Sequence, residues 1–592
     1  MKKYVVMCCV LATALQSCKN DSKKAVTEPN DKVKEITENY HQERLKLYPW
    51  EATTAGDDRY NNLMPNTLDD AYIKQTKDFF TKYKEQIASV KDEDLSENDL
   101  ISKQLLLWEC NINLERYAFK EELMPVNQFW SVILTTAQFA SGQSMQPFKT
   151  VKDYNNWLER LESFKLWLAS AQQRMKEGVT KGYVLPKALT VKVIPQLKDM
   201  TVSDVKTHLF YSPINTFPDT FTDAEKKELT DKYTKIISEK LIPSFTSLYN
   251  YVSTDYLAAS RSTSGISALP NGDKYYQYLI KLYTTTDMTA DEIHKLGLKE
   301  VERISAEMEK IKNQVGFKGT LKEFFNYVRT KKELMPFTKP EQVIAHYNGI
   351  YDRMKPNLDK IFDLKPKAGF EVRRTEAFRE ASASAEYNQP SLDGSRPGIF
   401  YVPLPDVTKY NTYDNESLFL HEAIPGHHYQ IALQQENTSL PSFRKTIWFT
   451  VYGEGWALYA ESLGKELGLY TDPYQYFGTL SLEIHRAIRL VVDTGLHTKG
   501  WTREQAIQYS LDHEAEGEES IIAEIERYMA IPGQALAYKI GQLKIRELRT
   551  KAEKELGDKF SIKEYHNQVL DAGCLPIKVF EDKINRWIEG KK

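Results

Sequence analysis

The run His421-Glu422-Ala423-Ile424-Pro425-Gly426-His427-His428 constrains the fold more than any other eight residues of this chain. A proline inside a helix removes a backbone hydrogen bond and clashes with the carbonyl four residues back, and a glycine beside it offers no resistance to a turn. Asp414 or Asn415 is a suitable N-cap for a helix through Leu418 and His421, but that helix cannot run straight on through Pro425. On an ideal helix His427 would lie about 120° around the axis from His421, and His428 within about 20° but roughly 10 Å further along. Neither position lets the two side chains share one small ligand. A break at Pro425-Gly426 can swing His427 back towards His421 along a shorter path than His428. The spacing therefore predicts a broken helix with His427 closing on His421, and His428 as the reserve or a supporting residue.

The residue types then point to a metal. His421 and Glu422 are consecutive, so they point about 100° apart, which suits one side chain binding an ion while the next reaches its water. The familiar zinc-site spacing is His-Glu-x-x-His, and here its fourth position is occupied by Pro425, which binds nothing. Zn2+ takes imidazole and carboxylate ligands and, in catalytic sites, keeps one position open. A third ligand should come from another element. The candidate is Glu454 in "YGEGWALYAE", 27 residues after His427, with Glu461 seven residues on and on nearly the same helical face. We assign His421, His427 and Glu454 to the metal, Glu422 as general base, and Glu461 to orienting a histidine. His497 in "DTGLH", and Tyr528 and Tyr538 in "RYMAIPGQALAYKIG", are the candidate donors to a developing oxyanion, and Arg489 can meet a substrate carboxylate. A second His-Glu pair, His513-Glu514, leads into an acidic stretch and reads as a solvated face.

At 592 residues the chain exceeds the usual single-domain range. Residues 31–265 read as a helical N-terminal lobe. A boundary-like stretch, "SRSTSGISALPNGD" (residues 260–273), spans the junction with residues 266–592, the lobe that holds the motifs. Apolar residues at three- and four-residue spacing in "DYNNWLERLESFKLWLASAQQ" predict helix, and Thr289 with Glu292 is a capping box opening a long helix through Ile311. "FEVRRTEAF" and "GIFYVPLP" are β-prone and bounded by Gly and Pro, which predicts a small sheet with a strand near residues 397–402 beside the site. A net charge of −3 gives no basic field for nucleic acid. No Gly-x-Ser-x-Gly elbow is found, which disfavours a serine hydrolase.

Residues 1–17 form a targeting segment: Lys2 and Lys3, then an apolar run too short to span a membrane. It ends in Leu15-Gln16-Ser17-Cys18, which resembles the lipobox of bacterial lipoproteins. That resemblance implies cleavage before Cys18, lipid on its thiol and new amino group, and a place in the bacterial cell envelope, at the periplasmic or outer-membrane face. Residues 18–30 then read as a flexible tether. The five cysteines fall to three, of which Cys110 and Cys574 are read as buried thiols.

"HEAIPGHHYQ", "GEGWALYAE", "DTGLH" and "PGQALAYKIG", in that order, resemble domain-of-unknown-function family 885 (DUF885). The resemblance runs from about residue 269 to 581. It implies a mainly α, zincin-like metallopeptidase fold with a central cleft and a small β-sheet beside the site. His421, Glu422, His427 and Glu454 match the family's first His, Glu, second His and downstream Glu. The expectation is a lipid-anchored zinc peptidase of oligopeptidase, dipeptidase or carboxypeptidase type, acting on short peptides. The alternatives are a zinc hydrolase of a non-peptide amide or ester, and a non-catalytic peptide- or glycan-binding lipoprotein.

Overall fold

A computed structural model describes residues 28–142, 145–376, 380, 384–392, 394 and 396–592. Cys18 and the leader before it lie outside the described residues. The chain opens with α1 (Asp31–Leu47), α2 (Asp70–Ala88), α3 (Glu97–Arg116) and the long α4 (Val151–Lys181). α4 shows how sequence sets these elements. The Thr150 hydroxyl accepts the Asp153 N–H at 3.2 Å, and the Asp153 carboxylate accepts the Thr150 N–H at 2.8 Å. Tyr154, Trp157, Leu161, Phe164, Leu168 and Met175 recur on one face and are buried, and Gly182 ends the helix in the left-handed region at φ 80°. That aromatic face builds a core with Tyr233, Phe245 and Tyr256. The first three helices do not join it. Tyr40, Phe79, Tyr83 and Leu105 pack instead into a core shared with Tyr347, Phe419, Trp456 and Phe580.

α5 (Ala290–Gln314) starts at the Thr289–Glu292 capping box and carries the buried His294, whose Nδ1 lies 2.8 Å from the Thr494 hydroxyl. α6 (Pro340–Ile361) leads into the sheet: β1 (Phe370–Arg374), β2 (Glu386–Asn388) and β3 (Gly398–Val402). The spatial order is β1-β3-β2, with β1 parallel and β2 antiparallel to β3. Val372 and Tyr387 are both opposite Phe400. The strand expected near residues 397–402 is β3. It is the central strand, so its backbone groups are paired on both sides, and the edge left for a further strand beside Tyr387 is β2.

The remaining helices used below are α7 (Asn415–Glu422), α8 (His427–Glu436), α9 (Thr450–Glu461), α10 (Pro473–Thr498), α11 (Glu518–Ala530) and α12 (Ala537–Leu556). α5 packs along α10 and α9 along α12. The α9–α12 approach depends on missing side chains: a Cβ on Gly455 would lie 2.6 Å from the Gly541 backbone. α9 is buried nearly all round, as its sequence, apolar on every side, requires. The architecture is mainly α-helical with one small three-stranded sheet among the described residues. Cys110 and Cys574 are free and buried. Among the described residues, no helix is long and apolar enough to cross a membrane.

Candidate metal centre

The helix break falls where Pro425 demands it. α7 ends at Glu422, Ala423 to Gly426 form the connection with a cis peptide between Ile424 and Pro425, and α8 starts at His427. The Trp456 indole N–H donates to the Pro425 carbonyl at 2.9 Å, tying the connection to α9. Gly426 adopts φ −72° and ψ −125°. A Cβ there would press on the carbonyl oxygens of Leu420 and His421 and stand 2.6 Å from the His421 carbonyl carbon. The turn is thus so tight that only glycine fits, and its tightness folds the first residue of α8 back over the end of α7.

The result is a group of three donors: His421, His427 and Glu454 each offer one ligand atom, all within 4.8 Å of one another. Glu454 Oε2 lies 3.6 Å from His421 Nε2 and 3.6 Å from His427 Nε2, and the two imidazole rings are nearly perpendicular at 88°. Tetrahedral ligands with bonds near 2.0–2.1 Å stand about 3.3 Å apart, so the carboxylate already sits at coordinating distance from both rings and a small closure completes the set. Two imidazoles and one carboxylate leave a fourth position open, the donor set of a catalytic zinc site. The cluster can coordinate a metal ion.

The second residue of each helix pair supports this arrangement. Glu461, two turns along α9 from Glu454, accepts the His421 Nδ1–H at 2.7 Å and the Ser417 hydroxyl at 2.9 Å. Ser417 is one turn before His421, so both reach the same carboxylate. This contact holds a proton on Nδ1 and turns Nε2 towards Glu454 and His427. Burial alone would lower the His421 pKa, but Glu454, Glu461 and Glu422 outweigh it and raise it to about 9. Burial works to raise the Glu454 pKa, and the two histidines overcome it and hold that carboxyl well below its usual range. The neighbouring carboxylates thus favour the charged form of His421, and a metal bound at Nε2 would have to displace the proton there. Glu422 Oε1 stands 3.9 Å from His421 Nε2, and burial raises its pKa.

The other expected residues are spread more widely. His428 turns away from the cluster: its Nδ1 meets the Tyr387 hydroxyl at 2.9 Å and burial holds its pKa down to about 4. Tyr387 sits on edge strand β2, and its ring lies 6.5 Å from that of His427. His497 is fully buried, with Nδ1 accepting the Ile266 N–H at 3.0 Å and Nε2 facing the Tyr528 carbonyl at 3.1 Å. Both its nitrogens are taken by backbone. Tyr528 donates to Glu524 at 2.6 Å and accepts from Arg489 Nε at 3.0 Å. The half-buried Tyr538 has its ring 4.6 Å from the Arg489 guanidinium. His513-Glu514 is not a solvated face: Glu514 is buried and bonded to His485, because α10 presents that imidazole to it. Sequence reasoning missed Ser417, Tyr387, Arg486 and Trp448, the last with its ring 6.1 Å from His427 and exposed. Only Ser417 carried a local signal, its four-residue spacing from His421.

Fold and site together define a mainly helical protein with a buried cluster of two histidines and a glutamate able to hold a metal ion. The chain belongs to the DUF885 family, described as bacterial protein of unknown function, which it matches over residues 49–584. It is similar to a crystal structure of a protein provisionally named a lipoprotein, from Colwellia psychrerythraea, with 30% identity, a TM-score of 0.86, and coverage of 94% of this chain and 99% of that one. A second, provisionally named a lipoprotein of unknown function, from Shewanella oneidensis, shares 19% identity with a TM-score of 0.74 over 93% and 99% of the two chains. The second likeness carries the fold alone. No curated protein matches the chain.

Proposed function

We propose that this protein is a metal-dependent hydrolase of amide or ester bonds, with zinc as the metal and a short peptide as the favoured substrate. The observation that carries the reading is the convergence of His421, His427 and Glu454 within 4.8 Å, with the Glu422 carboxylate 3.9 Å from His421. A zinc ion held by those three residues would polarise a substrate carbonyl and acidify a water. Glu422 accepts the proton of the attacking water and passes it to the leaving group. Glu461 and Ser417 keep His421 Nε2 turned towards the site. Of the three candidate oxyanion donors, Tyr538 is favoured, because among the described residues its hydroxyl proton has no protein acceptor while His497 and Tyr528 are engaged. The same groups serve any amide or ester. The peptide reading is supported by β2, an edge strand of the sheet among the described residues, whose Tyr387 neighbours His427; extended chains commonly dock along such edges.

All the residues named lie in residues 266–592, which we take as the catalytic part. Both similar structures carry a lipoprotein name, and we propose the same for this chain, tethered to an envelope membrane through Cys18. Mass spectrometry of the mature N-terminus should find acyl groups there, and an unmodified Cys18 refutes the tether. The function is tested by metal analysis together with digestion of a peptide library. Glu422→Gln should retain metal and lose about 10²–10⁴-fold in turnover. A protein that binds no metal, or a Glu422→Gln variant with full activity, refutes the reading. Metal without turnover of any amide or ester would make it a binding protein.

A further inference from the structure

A cavity of about 540 Å³ adjoins the metal centre, within the roughly 300–1,000 Å³ of small-ligand sites. Three segments that flank His427 continue into its wall. α8 carries Ile431 one turn after His427 and on the same face. Gln389 follows β2, whose Tyr387 ring is 6.5 Å from that of His427. Trp448 lines the cavity itself, with its ring 6.1 Å from that of His427. Trp448 also touches the segment that supplies the third ligand. Its six-membered ring lies against Gly453, the residue before Glu454, where any Cβ would collide with it. The indole is thus fixed beside two of the three metal ligands, yet it is 41% exposed, and Leu392 in the same wall is 49% exposed. A single exposed apolar side chain is ordinary. Two on the wall of one cavity, next to a polar centre, are surface left for an apolar ligand. Charge defines the cavity less. Arg44 in its wall is bonded to Glu51 and Glu109, which also line it, and Lys445 is the charged side chain left without an ion pair among the described residues. Gln435, one turn beyond Ile431, has a buried Oε1 without a hydrogen-bond partner among the described residues. That oxygen can accept a peptide N–H.

We propose that Trp448, with Leu392 and Ile431, forms a substrate subsite for a large apolar side chain, aromatic above all, close to the bond that is cleaved. This rests on the metal-hydrolase reading and adds the side chain that is selected. A ring laid against the indole buries apolar surface on both partners, and stacked or edge-on packing favours it over an aliphatic chain of similar size. Gln435 holds the backbone of the same peptide.

The test uses the zinc-loaded full chain and tetra-alanine, with two series in which phenylalanine or aspartate replaces each alanine in turn. The best phenylalanine peptide should exceed both tetra-alanine and the best aspartate peptide at least about 10-fold in kcat/KM, the scale of burying one aromatic side chain. Trp448→Ala should bring that ratio close to one, and Trp448→Phe should keep most of it. Leu392→Ser, at a half-exposed position, should cut the ratio at least about 3-fold and decides the matter if Trp448→Ala does not fold. The subsite is overturned by equal cleavage of all peptides or by a ratio unchanged in these variants. A preference for aspartate, which would move recognition to Lys445, overturns it as well. Calorimetric binding to the zinc-loaded Glu422→Gln protein separates this inference from its parent. If phenylalanine peptides bind tighter than tetra-alanine, lose that advantage when Trp448→Ala is added, and are not cleaved by the wild type, the subsite stands and the hydrolase reading falls. If all peptides bind alike, or none binds, the subsite is refuted.

Discussion

Gly426→Ala is the most direct probe of how the centre is assembled. The added methyl would stand 2.6 Å from the His421 carbonyl carbon and closer still to the Leu420 and His421 oxygens. Carbon–carbon contacts settle near 3.5 Å or beyond, so the turn must open by about 1 Å. That displacement falls wholly on the segment joining His421 to His427. Overpacking of this kind costs about 1–3 kcal/mol of stability, which a protein with cores this extensive tolerates. Metal ligands tolerate only about 0.2 Å, and a misplacement near 1 Å costs on the order of 100-fold in catalysis. The expected result is a folded protein, by circular dichroism and thermal melt, whose zinc affinity by competition with a chelator falls at least about 10-fold and whose turnover falls about 100-fold. His421→Ala serves as the reference for loss of a ligand. A Gly426→Ala protein that binds zinc with wild-type affinity would show that closure of His427 on His421 does not depend on this turn.

Two further predictions follow from neighbouring carboxyls. Glu461→Gln keeps a hydrogen-bond acceptor for His421 Nδ1 but loses the charge, and should lower zinc affinity by about 10–100-fold with the melting temperature of the metal-free protein little changed; unaltered affinity would remove Glu461 from the centre. Asp493 is fully buried, bonded by the Tyr276 hydroxyl and the Gly533 N–H, and burial raises its pKa to about 7. The unfolded chain loses this proton near pH 4 and the folded chain only near pH 7, so the folded state holds the extra proton between them and stability falls as pH rises through that window. Asp493→Asn should abolish that fall, worth up to about 4 kcal/mol, in urea unfolding at pH 4.5 and 7.5; identical pH slopes for the two proteins would contradict it.

Much of the centre was legible in local sequence. Pro425 and Gly426 break the helix because one lacks an N–H and the other a side chain, and both facts hold in any context. The seven-residue spacing of Glu454 and Glu461 places both on one face of α9, where they engage opposite nitrogens of His421. The capping box at Thr289 likewise began a helix where its side chains allow. What local sequence could not supply were the partners across elements. His513-Glu514 reads as polar and solvated until α10 brings His485 against Glu514. The strand near residues 397–402 was visible from composition, but that it would be central and β2 the edge depends on pairing between distant segments. His497 stood in the sequence as one of three candidate oxyanion donors, and only the tertiary structure brings the Ile266 N–H and the Tyr528 carbonyl to its two nitrogens. The chain by itself determined which residues are candidate metal ligands and where the helix must break, because those depend on residue type and on backbone geometry within a few residues. The tertiary structure decided which of them meet, because close approaches such as Gly455 on Gly541 arise between elements far apart in sequence.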